Sequence, residues 1–301
     1  MRVLQIGQQL RAYRMASGLG PEEIAARLGI SRAALYRYEK SGVIKLDTVK
    51  RLADLLDVSP LSLLGIGVEY YSRPAGYFER IRQIEETADQ ILQAYGPACY
   101  LTTSAAFDAA LADAFDEAVE HAGADRAAAR TTADQVLSLL AARKQSYLRR
   151  RPGIIAILSA GSIRIFLEQG MPGGLALSEP LRAHCRKVAA AEVEHIADMM
   201  ESEPMGLQFG LMPAADSAGS FTLLRARNQA MLSINPFRAD SHLTIPAGVA
   251  MITGADEAIA AHQRVAEGLW RDALKGAAAA AQVREIKARL PRPARKQASR
   301  G

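Results

Sequence analysis

The first part of the chain alternates short runs of helically spaced apolar residues with glycine or polar breaks. Within residues 22–28, Ile24 and Leu28 recur at helical spacing, and Gly29 ends the run as a left-handed C-cap does. Ser31 is a suitable N-cap for a second helix. The pattern therefore predicts two short helices joined by a tight turn.

The second helix, residues 32–40, divides into two faces at about 100° per residue. The face that must meet a core carries Ala34, Leu35 and Tyr38. The opposite face carries Arg32, Ala33, Tyr36 and Arg37. We predict that this second face, with Ser31, contacts base edges and phosphates in a DNA major groove. An ordinary amphipathic helix with a solvated basic face is the alternative.

Two lysines follow this helical face. Lys40 stands at the helix end and Lys45 in the next loop, where both are better placed for phosphates than for bases. They are predicted to supply salt-dependent affinity for DNA and not sequence choice.

Helical spacing also predicts a helix on each side of this pair. The preceding helix carries Ile6, Leu10 and Tyr13. The apolar positions of the following helix are Val49, Leu52, Ala53 and Leu56. Residues 61–64 add a last turn, which completes an all-α arrangement of five short helices.

These five helices resemble the DNA-binding domains of the Xre family of bacterial and phage repressors. The matching segments, within residues 6–65, are IGQQLRAYRMASGL, IAARLGISRAALYRYEKSG and LDTVKRLADLLDVSPLSLL. The resemblance implies an ion pair between Arg14 and Glu39, and a homodimer on an inverted-repeat operator in double-stranded DNA. This chain has Gly20-Pro21 where the family usually has Ser-Gln, and proline suits the first helical position.

Charge is unevenly distributed along the 301 residues, whose formal net charge is +5. Residues 1–67 hold ten Lys/Arg against six Asp/Glu, and residues 284–301 hold seven against one. Residues 68–283 therefore have a net charge of −5 and are repelled by nucleic acid. We expect the two ends to meet DNA and the middle to serve another purpose.

No segment is marked for export or for a membrane. The chain has no run of about 18 apolar residues and no signal-peptide pattern. Its two cysteines, Cys99 and Cys185, fit no metal or redox spacing. We expect a cytoplasmic protein with reduced, buried thiols, no metal, no cofactor and no membrane partner.

After residue 67 the pattern mixes helical and strand periods. Residues 68–77 are predicted as a linker, and residues 78–95 as one helix whose apolar stripe is either a dimer contact or an internal packing surface. Other predicted helices lie at 104–121, 132–150, 163–169, 180–201, 255–275 and from there to 290. Predicted strands lie at 98–104, 154–158, 205–212, 221–225, 230–234 and 248–253.

These elements predict an α+β domain with an antiparallel sheet over residues 78–290, after a five-helix domain over residues 1–67. Residues 291–301 are predicted to be a disordered basic tail. The α+β domain loosely resembles the C-terminal regulatory domains attached to many Xre-type proteins. That resemblance implies effector binding, dimerisation or both, with the effector-binding residues unknown.

One segment of the predicted α+β domain has small residues between a strand and a helix. Residues 159–162 either cradle an anion at the helix N-terminus or form a tight connection with Ser162 as the cap. A tight connection is the simpler interpretation.

Enzyme signatures are absent from the sequence. It contains no His-x-Lys, no Gly-x-Ser-x-Gly and no Gly-x4-Gly-Lys pattern. We expect no enzymatic activity and favour a sequence-specific transcription regulator whose second domain senses a small effector, dimerises or does both. The alternatives are an autoregulated protein with an undescribed or degenerate enzymatic domain, and an antitoxin that binds a toxin partner.

Overall fold

The computed structural model describes residues 3–42, 45–170, 177–213, 219–237 and 248–289. Its first five helices are α1 (Val3–Ser17), α2 (Pro21–Leu28), α3 (Arg32–Ser41), α4 (Leu46–Leu56) and α5 (Pro60–Leu63). The side chains at the centre of their shared core are fully buried; they are Leu10, Ile24, Leu35, Leu52 and Leu63. The predicted five-helix domain is confirmed.

The turn between α2 and α3 is fixed by glycine in a left-handed conformation. Gly29 has φ 67° and ψ 33°, which a residue without Cβ adopts without strain. Its N–H donates to the carbonyl of Ala26 at 3.1 Å, and the N–H of Ile30 donates to the carbonyl of Ala25 at 3.0 Å. These two bonds satisfy the last carbonyls of α2 in a Schellman arrangement.

The remaining elements, residues 68–289, are called the sheet region below. Its strands are β1 (Val68–Tyr71), β2 (Gln90–Gly96), β3 (Gly153–Ser159), β4 (Leu207–Met212), β5 (Phe221–Ala226), β6 (Gln229–Ile234), β7 (Ala250–Thr253) and β8 (Leu274–Lys275). Its helices are α6 (Pro74–Glu85), α7 (Ala105–Glu120), α8 (Arg126–Arg150), α9 (Ala160–Gln169), α10 (Glu179–Ser202), α11 (Asp256–Asp272) and α12 (Gly276–Arg289).

Within the described residues, the strands form one eight-stranded sheet in the order β1-β7-β6-β5-β2-β3-β4-β8. The pairs β2–β3 and β3–β4 are parallel, and the other neighbouring pairs are antiparallel. Each parallel step is bridged by helices, as parallel pairing requires. The α+β fold is therefore confirmed, with a parallel centre that the sequence pattern did not predict.

The two faces of the sheet are covered by different amounts of structure. One face belongs to a continuous core that includes the five-helix domain and helices α6–α10 and α12. The other face carries a small cluster of Ala94, Phe221, Leu223 and Leu232, which Ala266 of α11 covers. The main core thus runs without a break from α1 to the sheet.

The predicted linker over residues 68–77 is wrong. These residues form strand β1 and the first turn of α6, which begins with Pro74. β1 pairs antiparallel with β7, from Val68 opposite Thr253 to Tyr71 opposite Ala250. Because this partner strand lies near the other end of the chain, no local pattern could reveal the pairing.

The single helix predicted over residues 78–95 is also wrong. The helix ends at Glu85, and residues 90–96 form strand β2 in the middle of the sheet. Ten of the twelve residues of α6 are buried, because α6 packs against both α1 and α8. Its apolar stripe is therefore an internal packing surface and not a dimer contact.

Smaller corrections concern element ends. Residues 98–104 contain a 3₁₀ turn, Tyr100–Thr102, and no strand. Helix α8 begins at Arg126, before the predicted start at residue 132. Ser159 caps α9, since its hydroxyl oxygen accepts the N–H of Ser162 at 3.3 Å; Ser162 is not the cap. Residues 290–301 lie outside the described residues, so the disordered tail stays a prediction.

Two further observations bear on the expected chemistry. Cys99 and Cys185 are free and buried, and burial raises the pKa of the Cys99 thiol to about 11. Among the helices that the structure describes, none is long and apolar enough to cross a membrane.

Candidate nucleic-acid interface

Helix α3 presents one open, basic surface. Ser31 precedes it in an extended conformation, and the Ser31 hydroxyl oxygen accepts the N–H of Ala34 at 3.1 Å. Leu35 is fully buried, while Ala34 and Tyr38 are half-buried. The exposed residues, called the α3 surface below, are Arg32, Ala33, Tyr36, Arg37 and Lys40. The division into two faces matches the helical spacing of the sequence.

Arg32 is held in place by a neighbour that the sequence did not single out. Its Nη1 lies 2.7 Å from Oε1 of Glu22, which stands in the first turn of α2. The Arg32 guanidinium also lies over the Tyr36 ring, 5.5 Å from its centroid. Both members of the ion pair are largely exposed, and such pairs contribute only about 0–1 kcal/mol. Arg32 can therefore exchange Glu22 for another acceptor at little cost.

The Arg14–Glu39 pair implied by the family resemblance is present. Arg14 Nε donates to Glu39 Oε1 at 2.5 Å, and Nη2 donates to Oε2 at 3.1 Å. The side chains are 14% and 6% exposed, so the pair is well shielded from water. It ties α1 to the end of α3 and turns the only carboxylate of α3 away from the α3 surface.

Close backbone packing brings α1 against the same end of α3. A Cβ on Gly7 would lie 2.4 Å from the carbonyl oxygen of Glu39, so only glycine fits there. Gly7 and the Arg14–Glu39 pair together fix the direction in which α3 projects.

The two predicted phosphate-contacting lysines flank the loop between α3 and α4. Lys40 lies in the last turn of α3, and Lys45 immediately precedes α4; both are exposed. Residues 43 and 44 lie outside the described residues. At the other edge, α2 begins as expected with Pro21 after an extended Gly20, which offers no capping side chain.

A buried carboxylate connects the five-helix domain to the sheet region. Glu69, on β1, accepts hydrogen bonds from Gln9 Nε2 at 2.7 Å and from the Tyr71 hydroxyl at 2.7 Å. Arg80 of α6 binds the same carboxylate through Nε at 2.8 Å and Nη2 at 2.9 Å. Burial opposes the charge on Arg80, but Glu69 raises the Arg80 pKa above its ordinary value. The role of Glu69 was not predicted from the sequence, because this residue lies in the segment predicted as a linker.

Tight packing surrounds this carboxylate. Tyr13 of α1 stacks on Tyr71, with ring centroids 5.0 Å apart. A Cβ on Gly76 of α6 would lie 2.4 Å from the Cβ of Ala16 and 2.7 Å from the carbonyl oxygen of Ala12. Helix α1 therefore belongs to both parts of the molecule, and α3 is held in a fixed position relative to the sheet.

Comparison with known proteins supports the reading of the first five helices. Residues 5–63 match a family model described as a helix-turn-helix domain. The five-helix domain is a helix-turn-helix domain. The match covers only that part of the chain, and none of the curated proteins matches.

One solved structure shows a distant similarity. It is that of TrmBL2, described as an archaeal chromatin protein with a novel mode of DNA binding, at 10% sequence identity and a TM-score of 0.33. The similarity covers 76% of this chain and 62% of that chain. At this level the similarity carries no argument about fold or function.

Proposed function

We propose that this protein is a sequence-specific, DNA-binding transcription regulator of the Xre type. The observation that carries the proposal is the α3 surface, which combines two guanidinium groups, a phenol and a small methyl group on one exposed helix face. The second helix of a helix-turn-helix enters the major groove, where such groups meet base edges. The helix-turn-helix match over residues 5–63 supports this assignment.

The individual roles follow from position along α3. Arg32 stands in the first turn, the end that enters the groove most deeply in this motif. Arg37 lies further along the same exposed face, and a bidentate arginine–guanine contact discriminates by about 1–3 kcal/mol. Lys40 and Lys45 bind phosphates and supply salt-dependent affinity. Ser31, Ala33 and Tyr36 complete the contact.

We propose further that the protein binds as a homodimer to an inverted-repeat operator. One helix-turn-helix reads only a few base pairs, and a two-fold dimer doubles the length of sequence that is read. Since α6 is internal, the dimer contact belongs to another surface. Light scattering on the full chain at micromolar concentration tests this step, and a monomer would contradict it.

The sheet region, in this proposal, acts by binding an effector or a second subunit and not by catalysis. The absence of enzyme motifs from the sequence supports this, as does the acidic charge of residues 68–283, which disfavours DNA contact.

Selection of binding sites from a random pool of DNA duplexes tests the proposal. We expect enrichment of an inverted repeat whose half-sites are about one helical turn apart, near 34 Å. The matched control is the double variant Arg32→Ala/Arg37→Ala, for which the same selection should enrich no motif. If the DNA pool selected with the wild-type protein stays random after repeated rounds, sequence-specific binding is contradicted.

A further inference from the structure

A cleft of about 700 Å³ lies between the five-helix domain and the edge of the sheet. One wall comes from the ends of α1, α2 and α4, and the other from β1 and the residues next to it. Small-molecule sites typically have volumes of about 300–1,000 Å³ and occur preferentially at such junctions. The residues that line the cleft include Tyr13, Leu19, Val58, Tyr70, Arg73 and Val249.

Both walls of the cleft carry apolar side chains that are left partly in water. Tyr70 is 54% exposed and Val249 is 55% exposed. Leu19 and Val58, on the wall formed by the five-helix domain, are half-buried. A ligand with an apolar body between these walls would remove this apolar surface from water, which is favourable.

The cleft also contains a cation that forms no ion pair within the described part of the chain, although the exposed carboxylate of Asp57 lines the same cleft. Arg73 is exposed and forms no ion pair or side-chain hydrogen bond with the described residues. Its guanidinium lies against the end of α1, since a Cβ on Gly18 would be only 2.1 Å from Arg73 Nη1. The neighbouring Arg27, in contrast, is paired with Glu23. Arg73 is thus positioned and available for an anion.

A buried hydroxyl is the second polar feature of the cleft. Tyr13 lines the cleft and is only 2% exposed; its hydroxyl oxygen is closed to water and interacts with the Ser62 side chain and the Tyr70 backbone.

We propose that this cleft binds a small organic anion with an apolar body, such as an aromatic or short-chain carboxylic acid. The carboxylate binds Arg73. The apolar body lies between Tyr70 and Val249 on one side and Leu19 and Val58 on the other.

A ligand in this position contacts both parts of the molecule. No residue of the α3 surface lines the cleft, so the ligand does not compete with DNA for the same groups. It changes DNA affinity only if it binds differently to the free and DNA-bound forms. Binding itself is independent of the proposed function, whereas an effect on DNA affinity rests on it.

Calorimetric titration of the full chain with benzoate, phenylacetate and octanoate tests the site, with benzyl alcohol as an uncharged probe. We expect at least one carboxylate to bind at millimolar concentration and to bind more tightly than the alcohol. Arg73→Gln should weaken its binding by about tenfold or more, because a charge-assisted contact is lost. The control Arg264→Gln, an exposed arginine on α11 outside the cleft, should leave binding unchanged.

No carboxylate binding at millimolar concentration, or equal binding by the Arg73→Gln and Arg264→Gln variants, would overturn the proposal.

DNA titrations with and without the bound carboxylate then separate this proposal from the proposed function. A carboxylate that binds and shifts DNA affinity supports both. If the protein binds the carboxylate but selects no DNA sequence, the proposed ligand site is supported and the proposed regulatory function is contradicted.

Discussion

Arginine side chains serve different purposes in the two regions of the molecule. In the sheet region, two shielded arginines join elements: Arg80 binds Glu69, and Arg143 of α8 binds Glu85 of α6 through two hydrogen bonds of 2.7 and 2.9 Å. On α3, Arg32 makes one exposed pair, and Arg37 forms no ion pair with any described residue. Arg80 and Arg143 are thus paired and shielded from water, whereas Arg32 and Arg37 are exposed and available to a partner.

The shielded arginines contribute to stability, whereas the exposed arginines of α3 are available for function. Removing one member of a buried ion pair strands the other charge and costs about 3–5 kcal/mol. An exposed pair contributes about 0–1 kcal/mol, so α3 can be altered with little effect on folding. Arg14 is the exception within the five-helix domain, because its pair with Glu39 is shielded from water.

The largest effect on stability is expected at the carboxylate that joins the two regions. Arg80→Met should lower the free energy of unfolding by about 3–5 kcal/mol, because it leaves Glu69 charged and buried. Urea denaturation of the full chain measures this. The double variant Arg80→Met/Glu69→Gln should regain part of the loss. A single variant as stable as the wild type would show that the Arg80–Glu69 pair does not hold β1 against α6.

The second-largest effect on stability is expected at the Arg14–Glu39 ion pair of the five-helix domain. Glu39→Ala should lower stability by about 3 kcal/mol and loosen α1 and α3, because it strands the Arg14 charge. Hydrogen exchange in the full chain should rise in the five-helix domain and stay unchanged in β2–β4. Arg14→Ala is the matched variant. If hydrogen exchange in both variants equals that of the wild type, the Arg14–Glu39 pair does not stabilise the five-helix domain.

A smaller effect is expected in acid, at Glu79. Burial raises the pKa of this carboxyl. Hydrogen bonding to Arg82 and the charges of Arg11 and Arg82 lower the pKa by more than burial raises it, so the pKa lies below its ordinary value of 4.5. Its stabilising contribution is therefore present above pH 4.5 and is lost as the pH falls through the lowered pKa. Glu79→Gln should show a shallower loss of stability below pH 4.5 than the wild type. Identical acid profiles would contradict the assignment.

The smallest effect on stability is expected at the surface pair of Glu22 and Arg32. Glu22→Gln should change the free energy of unfolding by less than about 0.5 kcal/mol, because both side chains are exposed. DNA affinity should rise, since a carboxylate near the phosphates is removed. A fall in affinity would mean that Glu22 positions Arg32 for binding.

The α3 surface could be predicted because its residues are consecutive. The spacing of Leu35 and Tyr38 against Arg32 and Tyr36 places the two sets on opposite faces without reference to the rest of the chain. The end of α2 at Gly29 and the cap at Ser31 are local signals of the same kind.

The parts that could not be predicted depend on distant partners. β1 is a strand because β7 pairs with it, and β2 is a strand because it lies between β3 and β5. Residues 90–95 carry apolar spacing that a helix can also satisfy, so local pattern alone favoured a longer α6. Arg80 and Gln9 give no sign in sequence that they meet at Glu69.

Salt-dependent DNA titrations of three variants test the central claim most directly. Arg32→Ala and Arg37→Ala should flatten the preference for the selected operator over scrambled DNA, because base contacts are lost. Lys45→Ala should weaken binding to both DNAs nearly equally and make the salt slope shallower by about one unit. If the arginine variants lose as much affinity for scrambled DNA as for the operator, the arginines bind phosphates and the α3 surface does not read bases.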